Sequence, residues 1–297
     1  MAVNLERNRF VRTVENLALE SFPMNFELHG VKHLVKAHEI LDQGGKIYNT
    51  PDHRSTADST STLVATTQVE PWRRLVDRSV IIIKDSYFDN RFFRLGLSGV
   101  RTIGAVSPSM KENAGLTKTE QAKIQADMLR AVRGVPGGNS IVLAPEVTRV
   151  REGGIQQARR ELTLLWNHKE SDPVSDEDVW FLPTAHEGTE EQWGNSKLDI
   201  AYYFLWRAQH VKVKYFIGEP FRLTDVKQMI RSYEGSIKDT RQLEVDLVMM
   251  QVALLHMNHG DPWYAGEYYP QLLQTLQTEG MRIPNTPGNT PQLRIVR

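Results

Sequence analysis

Short unbroken apolar runs alternate along this chain with stretches in which apolar residues return every three or four positions. The first pattern suits strands buried on both faces, the second amphipathic helices. Phe10, Val14, Leu17 and Ala18 set a helical spacing over residues 5–19, ending before Pro23. An extended run at 25–29 follows, then a helix over about 31–41, the Gly44-Gly45 turn and a strand at Lys46-Ile47-Tyr48-Asn49. A helix follows Asp58, and Val80-Ile81-Ile82-Ile83 is a β-branched strand with Lys84 at its end. Residues 101–106 read as a further strand. The helix at 118–132 gathers Ile124, Met128, Leu129 and Val132 on one face and is stopped by Gly134, Pro136, Gly137 and Gly138.

Ser140-Ile141-Val142-Leu143-Ala144 reads as the next strand, closing on Pro145. Helix is then expected to about His168, strand at 179–182, helix at 198–209, strand at 211–217 and a long helix through Met257. This alternation predicts an α/β fold: a largely parallel central sheet covered by helices on both faces, with an N-terminal helical segment. Residues 1–24 form that segment and 25–279 one α/β domain. Residues 280–297, with Pro284, Pro287 and Pro291 among Asn, Thr and Gly, are expected to be a flexible or surface-draped tail.

Composition changes the picture chiefly by exclusion. Thirty-six basic residues balance thirty-six acidic ones, so no overall electrostatic footprint favours nucleic acid. The absence of cysteine removes disulfides, thiolate metal sites and a Cys nucleophile together, and fits an intracellular setting. Residues 1–10 carry Glu6, Arg7 and Arg9 without a long apolar core, so no signal peptide is expected. The longest apolar run, 247–257, includes Gln251 and His256 and is far short of the roughly 20 residues that cross a bilayer. The expected location is cytoplasmic, with peripheral contact at the inner face of a membrane left open.

The candidate chemistry centres on the loop Asn49-Thr50-Pro51-Asp52-His53-Arg54-Ser55-Thr56-Ala57-Asp58. On one continuous helix His53 and Asp58 would point about 140° apart, so His53 is expected to precede the helix. Ser55 with an acidic residue three positions later reads as a helix start, which curls Asp58 back toward His53. Asp58 can then accept from imidazole Nδ1–H, leaving Nε2 as a free base for a substrate hydroxyl. Read alone, the same string is an ordinary helix cap. A second stretch, Pro145-Glu146-Val147-Thr148-Arg149, leaves a buried strand with an acid, a hydroxyl and a guanidinium suited to holding a phosphate.

Together, His53-x-Ser55-x-x-Asp58 and, about ninety residues later, Pro145-Glu146-x-Thr148-Arg149 resemble the phospholipid/glycerol acyltransferase superfamily. Its members commonly show Asn-His-x-Ser-x-x-Asp and then Pro-Glu-Gly-Thr-Arg. Leu182-Pro183-Thr184-Ala185-His186-Glu187-Gly188-Thr189 and Ile217-Gly218-Glu219-Pro220-Phe221 are similar to later segments of the family, so the likeness runs from about Phe26 to Tyr269. The chain departs from the pattern at Asp52, where the family usually has Asn, and at Val147, where it has glycine. An arginine expected soon after Ala105-Val106 is absent, and Ser107-Pro108-Ser109-Met110 stand there.

The resemblance implies transfer of a fatty acyl group from an acyl-CoA or acyl-carrier-protein thioester to a hydroxyl of glycerol 3-phosphate or 1-acylglycerol 3-phosphate, with no further cofactor and no metal. In that role His53 is the general base and Asp58 its partner. Arg149, alone or with Lys84, clamps the acceptor phosphate. Glu146 holds Arg149 or an acceptor hydroxyl, and Thr148 is a structural hydroxyl lining the same substrate site. Partners implied are the thioester, the glycerol-phosphate acceptor and, left open, an acyl carrier protein and a membrane surface. Two alternatives stay open: a lipid-binding or scaffold protein of the same fold without turnover, and an acyl thioesterase. His256, His259 and Asp261 read as a solvated helix terminus rather than a metal site. The glycines at 134–138 lack the Lys-Ser/Thr of a phosphate loop, and Gly96-Leu97-Ser98-Gly99 lacks the spacing of a nucleophile elbow.

Overall fold

The structure is a computed structural model that describes residues 3–6, 8–20, 24–52, 57–84, 98–105, 117–143, 154–168, 172–192 and 209–286. Its strands are β1 (Val3–Asn4), β2 (Phe26–His29), β3 (Lys46–Pro51), β4 (Ser79–Lys84), β5 (Arg101–Ala105), β6 (Ser140–Val142), β7 (Val179–Glu187), β8 (Val213–Ile217) and β9 (Phe221–Arg222). Its helices are α1 (Arg9–Glu20), α2 (Val31–Asp42), α3 (Ala57–Gln68), α4 (Glu70–Asp77), α5 (Lys118–Arg133), α6 (Thr163–Trp166), α7 (Thr189–Gln192), α8 (Leu223–Arg231), α9 (Thr240–His259) and α10 (Tyr268–Thr278).

The strands form one sheet in the order β1-β5-β4-β6-β3-β7-β8-β2, with β9 beside β7. β5, β4, β6, β3 and β7 are mutually parallel. β1 is antiparallel to β5, β8 and β9 are antiparallel to β7, and β2 is parallel to β8. The expected α/β class is therefore present as a mixed, mostly parallel sheet flanked by helices, with an N-terminal helix.

Side chains alternate across the sheet with a period of two and feed two apolar layers. Tyr48, Phe181 and Phe216 enter the larger core with α9, α5 and α10, whereas Ile47, Leu182, Tyr215 and Ile217 join α2, α3 and α4 on the other face. The apolar run noted at 247–257 lies in α9, which is buried continuously from Leu243 to His256. A helix apolar on all sides is a core helix, and this one fills the larger layer.

Several boundaries differ from the expected ones. β7 continues past Leu182 to Glu187 because β3 and β8 pair with its second half. No helix runs through 155–159. There the backbone is spent on tertiary bonds, Ile155 N–H to Tyr264 O and Ala158 N–H to Tyr269 Oη, before a short 3-10 turn and α6. The long final helix is divided into β9, α8 and α9. The helix expected at 198–209 lies, apart from its last residue, outside the described residues.

The apolar stripe of α1 is not its buried side. Phe10, Val14 and Leu17 are exposed, while Arg12 is buried and donates through Nε to Asp77 at the end of α4. A second ion pair, Arg73 with Glu20, ties the same two helices. At the other terminus, Met281, Ile283 and Thr286 are buried, and Asn285 bonds Gln251 of α9. The chain therefore holds to the core through Thr286, and 287–297 lie outside the described residues.

Phe181 sits where the strands meet the core, its ring 5.1 Å from Trp166, 6.1 Å from Tyr48 and 5.3 Å from Phe221. Phe181→Ala is expected to cost about 3–5 kcal/mol, measured by urea unfolding. A loss under about 1 kcal/mol would contradict this packing. His168 supplies a pH test, since burial and then the charge of Lys46 lower its pKa from 6.5 to about 4. The unfolded chain takes up this proton first, so stability should fall as pH drops from about 6.5 through about 4. His168→Gln should flatten that part of the stability profile, and an unchanged slope would remove His168 as its source.

Candidate functional site at the carboxyl ends of the parallel strands

The register places Asn49 beside Val142 and Leu182, and Val142 beside Ile81. Because β4, β6, β3 and β7 run the same way, the chain leaves Lys84, Val142, Pro51 and Glu187 at one rim of the sheet. In open α/β sheets this rim is where ligands collect. The segments that begin at Asp52 and Leu143 thus start from neighbouring strands. A buried bond from Thr184 Oγ1 to Asn49 Oδ1 (2.9 Å), and one from Leu143 N–H to Asn49 O (3.0 Å), tie the three strand ends together.

Of the residues singled out by sequence, His53, Ser55, Glu146, Thr148 and Arg149 lie outside the described residues. Asp58 is in the first turn of α3 and Lys84 ends β4. The side chains of both lie outside the described part. What the structure does describe at this rim is a buried polar array that the sequence reading did not assemble.

Asp52, immediately after β3, is its centre and is fully buried. Its Oδ1 accepts from the backbone N–H of His186 (3.1 Å) and lies 2.8 Å from His186 Nδ1. Its Oδ2 lies 3.2 Å from His256 Nε2, and the other nitrogen of that ring, Nδ1, lies 3.0 Å from Glu187 Oε1. Glu187 Oε1 also accepts from the backbone N–H of Asp261 (2.7 Å). His186, Glu187 and His256 are all buried with it.

Burial by itself would raise the pKa of Asp52. The charge and hydrogen bond of His186, joined by the bond and charge of His256, outweigh that cost and hold the carboxyl well below the usual carboxylate range. The imidazole of His256 is fixed on its flat side by Tyr264, stacked at 5.4 Å and 17°, and on its edge by Phe216. The Tyr264 hydroxyl bonds in turn to Glu190. Glycine at 260 is what lets Glu187 come this close, because a Cβ there would stand 1.9 Å from Glu187 Oε1.

His256 therefore does not sit at a solvated helix terminus as expected. It faces inward from the core helix α9. The signal for it was in the sequence: a histidine inside an otherwise apolar run, and a His-Glu pair ending a buried strand. Among the described residues no cluster of three or more His, Cys, Asp or Glu is arranged to hold a metal ion, and no helix is long and apolar enough to cross a membrane. No family model matches the chain, and no curated protein sequence matches it.

The close approach at Gly260 can be tested by itself. Gly260→Ala should push Glu187 off both the Asp261 N–H and His256, lowering stability by about 1–3 kcal/mol in chemical denaturation. Combined with Glu187→Ala, which clears the space, the loss should be clearly less than the sum of the two single changes. Additive losses would mean that the Cβ clashes elsewhere.

Proposed function

We propose that the protein is an O-acyltransferase of glycerolipid type, moving a fatty acyl group from an acyl-CoA or acyl-carrier-protein thioester to a hydroxyl of glycerol 3-phosphate or 1-acylglycerol 3-phosphate. The observation that carries the reading is the parallel adjacency of β3 and β6. It starts the His53 segment and the Pro145–Arg149 segment from neighbouring strand ends at one rim. Two motifs some ninety residues apart in the chain could otherwise have begun at opposite edges.

In this reading His53 takes the proton of the acceptor hydroxyl as its oxygen attacks the thioester carbonyl, and Asp58 steadies the imidazolium that forms. Collapse of the tetrahedral adduct breaks the C–S bond, and the proton held by His53 passes to the departing sulfur to give the free thiol. The ester is formed and His53 is returned to its neutral state. Arg149, with Lys84, holds the acceptor phosphate through charge-assisted bonds, and Glu146 orients Arg149 or an acceptor hydroxyl. The first turn of α3 offers backbone N–H groups to the thioester oxyanion or to phosphate. The acyl chain places the reaction next to a lipid surface, which a peripheral protein reaches without a spanning helix.

Val147 and the missing arginine after Ala105 favour one rival, a lipid-binding protein of the same fold without turnover. Incubation of the full chain with a long-chain acyl thioester, with and without the two glycerol phosphates, separates these readings. Acceptor-dependent ester is expected. No product would favour the rival, and free fatty acid alone would indicate a thioesterase. His53→Ala should lower the rate by roughly 10²–10⁴-fold. Arg149→Ala should raise the KM for the acceptor far more than that for the thioester. Equal effects on both substrates would remove the phosphate clamp.

A further inference from the structure

We propose that Asp52 is a positioning residue, held between His186 and a protonated His256, and that this charge-paired anchor fixes the chain from which His53 follows. The proposal takes His53 as the working base and so rests on the acyl-transfer reading. The anchor itself lies wholly within described residues.

The argument is a count of protons. Both ring nitrogens of His256 face carboxylate oxygens, and an ionised carboxylate only accepts. A neutral imidazole carries one N–H and would leave a lone pair against the second carboxylate. Glu187 accepts from Asp261 N–H through Oε1 and has the Lys214 ammonium 3.8 Å from its other oxygen, surroundings that favour a carboxylate over a hydroxyl donating to Nδ1. A proton on Asp52 Oδ2 is opposed by the donors that His186 directs at the same carboxylate. With His256 doubly protonated both contacts become charge-assisted hydrogen bonds.

The groups around the ring agree with this assignment. From β3 it faces Asp52, from β7 Glu187, and from the turn after α9 Tyr264, which is stacked on it. Behind these stand His186 on Asp52, Lys214 at 3.8 Å from Glu187, and Glu190 on the Tyr264 hydroxyl. Among the described residues two carboxylates touch His256 directly, and Lys214 stands behind one of them.

This explains the departure at position 52. An Asn there, as in the resembled family, offers a donor and an acceptor and suits a neutral imidazole. Asp52 instead requires a charged one, so Asp52 and His256 form a matched pair. Activity would then depend on two protons in opposite senses. His53 must lose its proton to act as a base, while His256 must keep its own to hold the anchor. A bell-shaped rate profile follows, its acid limb set by His53 and its alkaline limb by the array as a unit.

The test uses the full chain, unmodified and with Asp52→Asn, whose amide can donate to a neutral His256 while its oxygen still accepts from His186, or with Glu187→Gln, which removes one of the two negative charges that hold the ring protonated. Ring-nitrogen NMR of the histidines is recorded from acid to alkaline pH, beside the acyl-transfer rate. At neutral pH the unmodified chain should show both His256 nitrogens protonated, each variant should show one, and the His53 signals should shift in both variants. The alkaline limb of the rate should be lost in both, with the acid limb kept. A neutral His256 in the unmodified chain, unmoved His53 signals, or an alkaline limb that survives both changes would overturn the proposal. Should Asp52→Asn not fold, Glu187→Gln decides, since it leaves Asp52 in place. Absence of acyl transfer with the NMR results as expected would retire the enzymatic reading and leave the anchor standing.

Discussion

A carboxylate buried at the end of a central strand must find partners or drop its charge, because the cost of an uncompensated buried ion is several kcal/mol. Asp52 finds them in two histidines that come from opposite parts of the chain, one ending β7 and one deep in α9. The same contacts join the sheet to its main core helix at the rim where the parallel strands finish. Breaking such a pair on one side leaves a stranded charge, so this corner of the molecule has one well-satisfied arrangement and few near it.

The surrounding fold makes that arrangement possible. Five parallel strands put their carboxyl ends on one line, β8 turns back along β7 to wall off His186 and Glu187, and α9 crosses the sheet with His256 aimed inward. Aromatic rings at Phe216 and Tyr264 set the plane of the imidazole. The rim is thus rigid on the side of the described polar array. A general base is useful only when held in reach of its proton, so rigidity immediately before His53 is worth more to a catalyst than to a passive binder.

Much of the scaffold was legible in the residues. The β-branched run at 80–83 and the start of the apolar run at 140–144 fall on strands, and the helices at 31–41 and 118–132 lie within a residue or two of their observed ends. Periodicity failed where tertiary contacts took over. At 155–159 the backbone bonds to Tyr264 and Tyr269 instead of to itself, and in α1 ion pairs at Arg12 and Arg73 hold the polar face inward, leaving Phe10 outside. The array escaped notice for a different reason. His186 and His256 follow Asp52 by 134 and 204 residues, and only the tertiary fold brings the three together. Asp52 was visible as a departure from a motif, while its matching histidines carried no local pattern beyond being polar in apolar company.

The proposed acyl transfer requires that one rim present a base and a phosphate clamp to the same small molecule. The most direct measurement is a magnetisation-transfer NMR experiment on the full chain with glycerol 3-phosphate. The expected result is transfer between the His53 ring protons and the glycerol protons, abolished by Arg149→Ala. Binding of glycerol 3-phosphate that survives Arg149→Ala, or that brings no glycerol proton near the His53 ring, would contradict it.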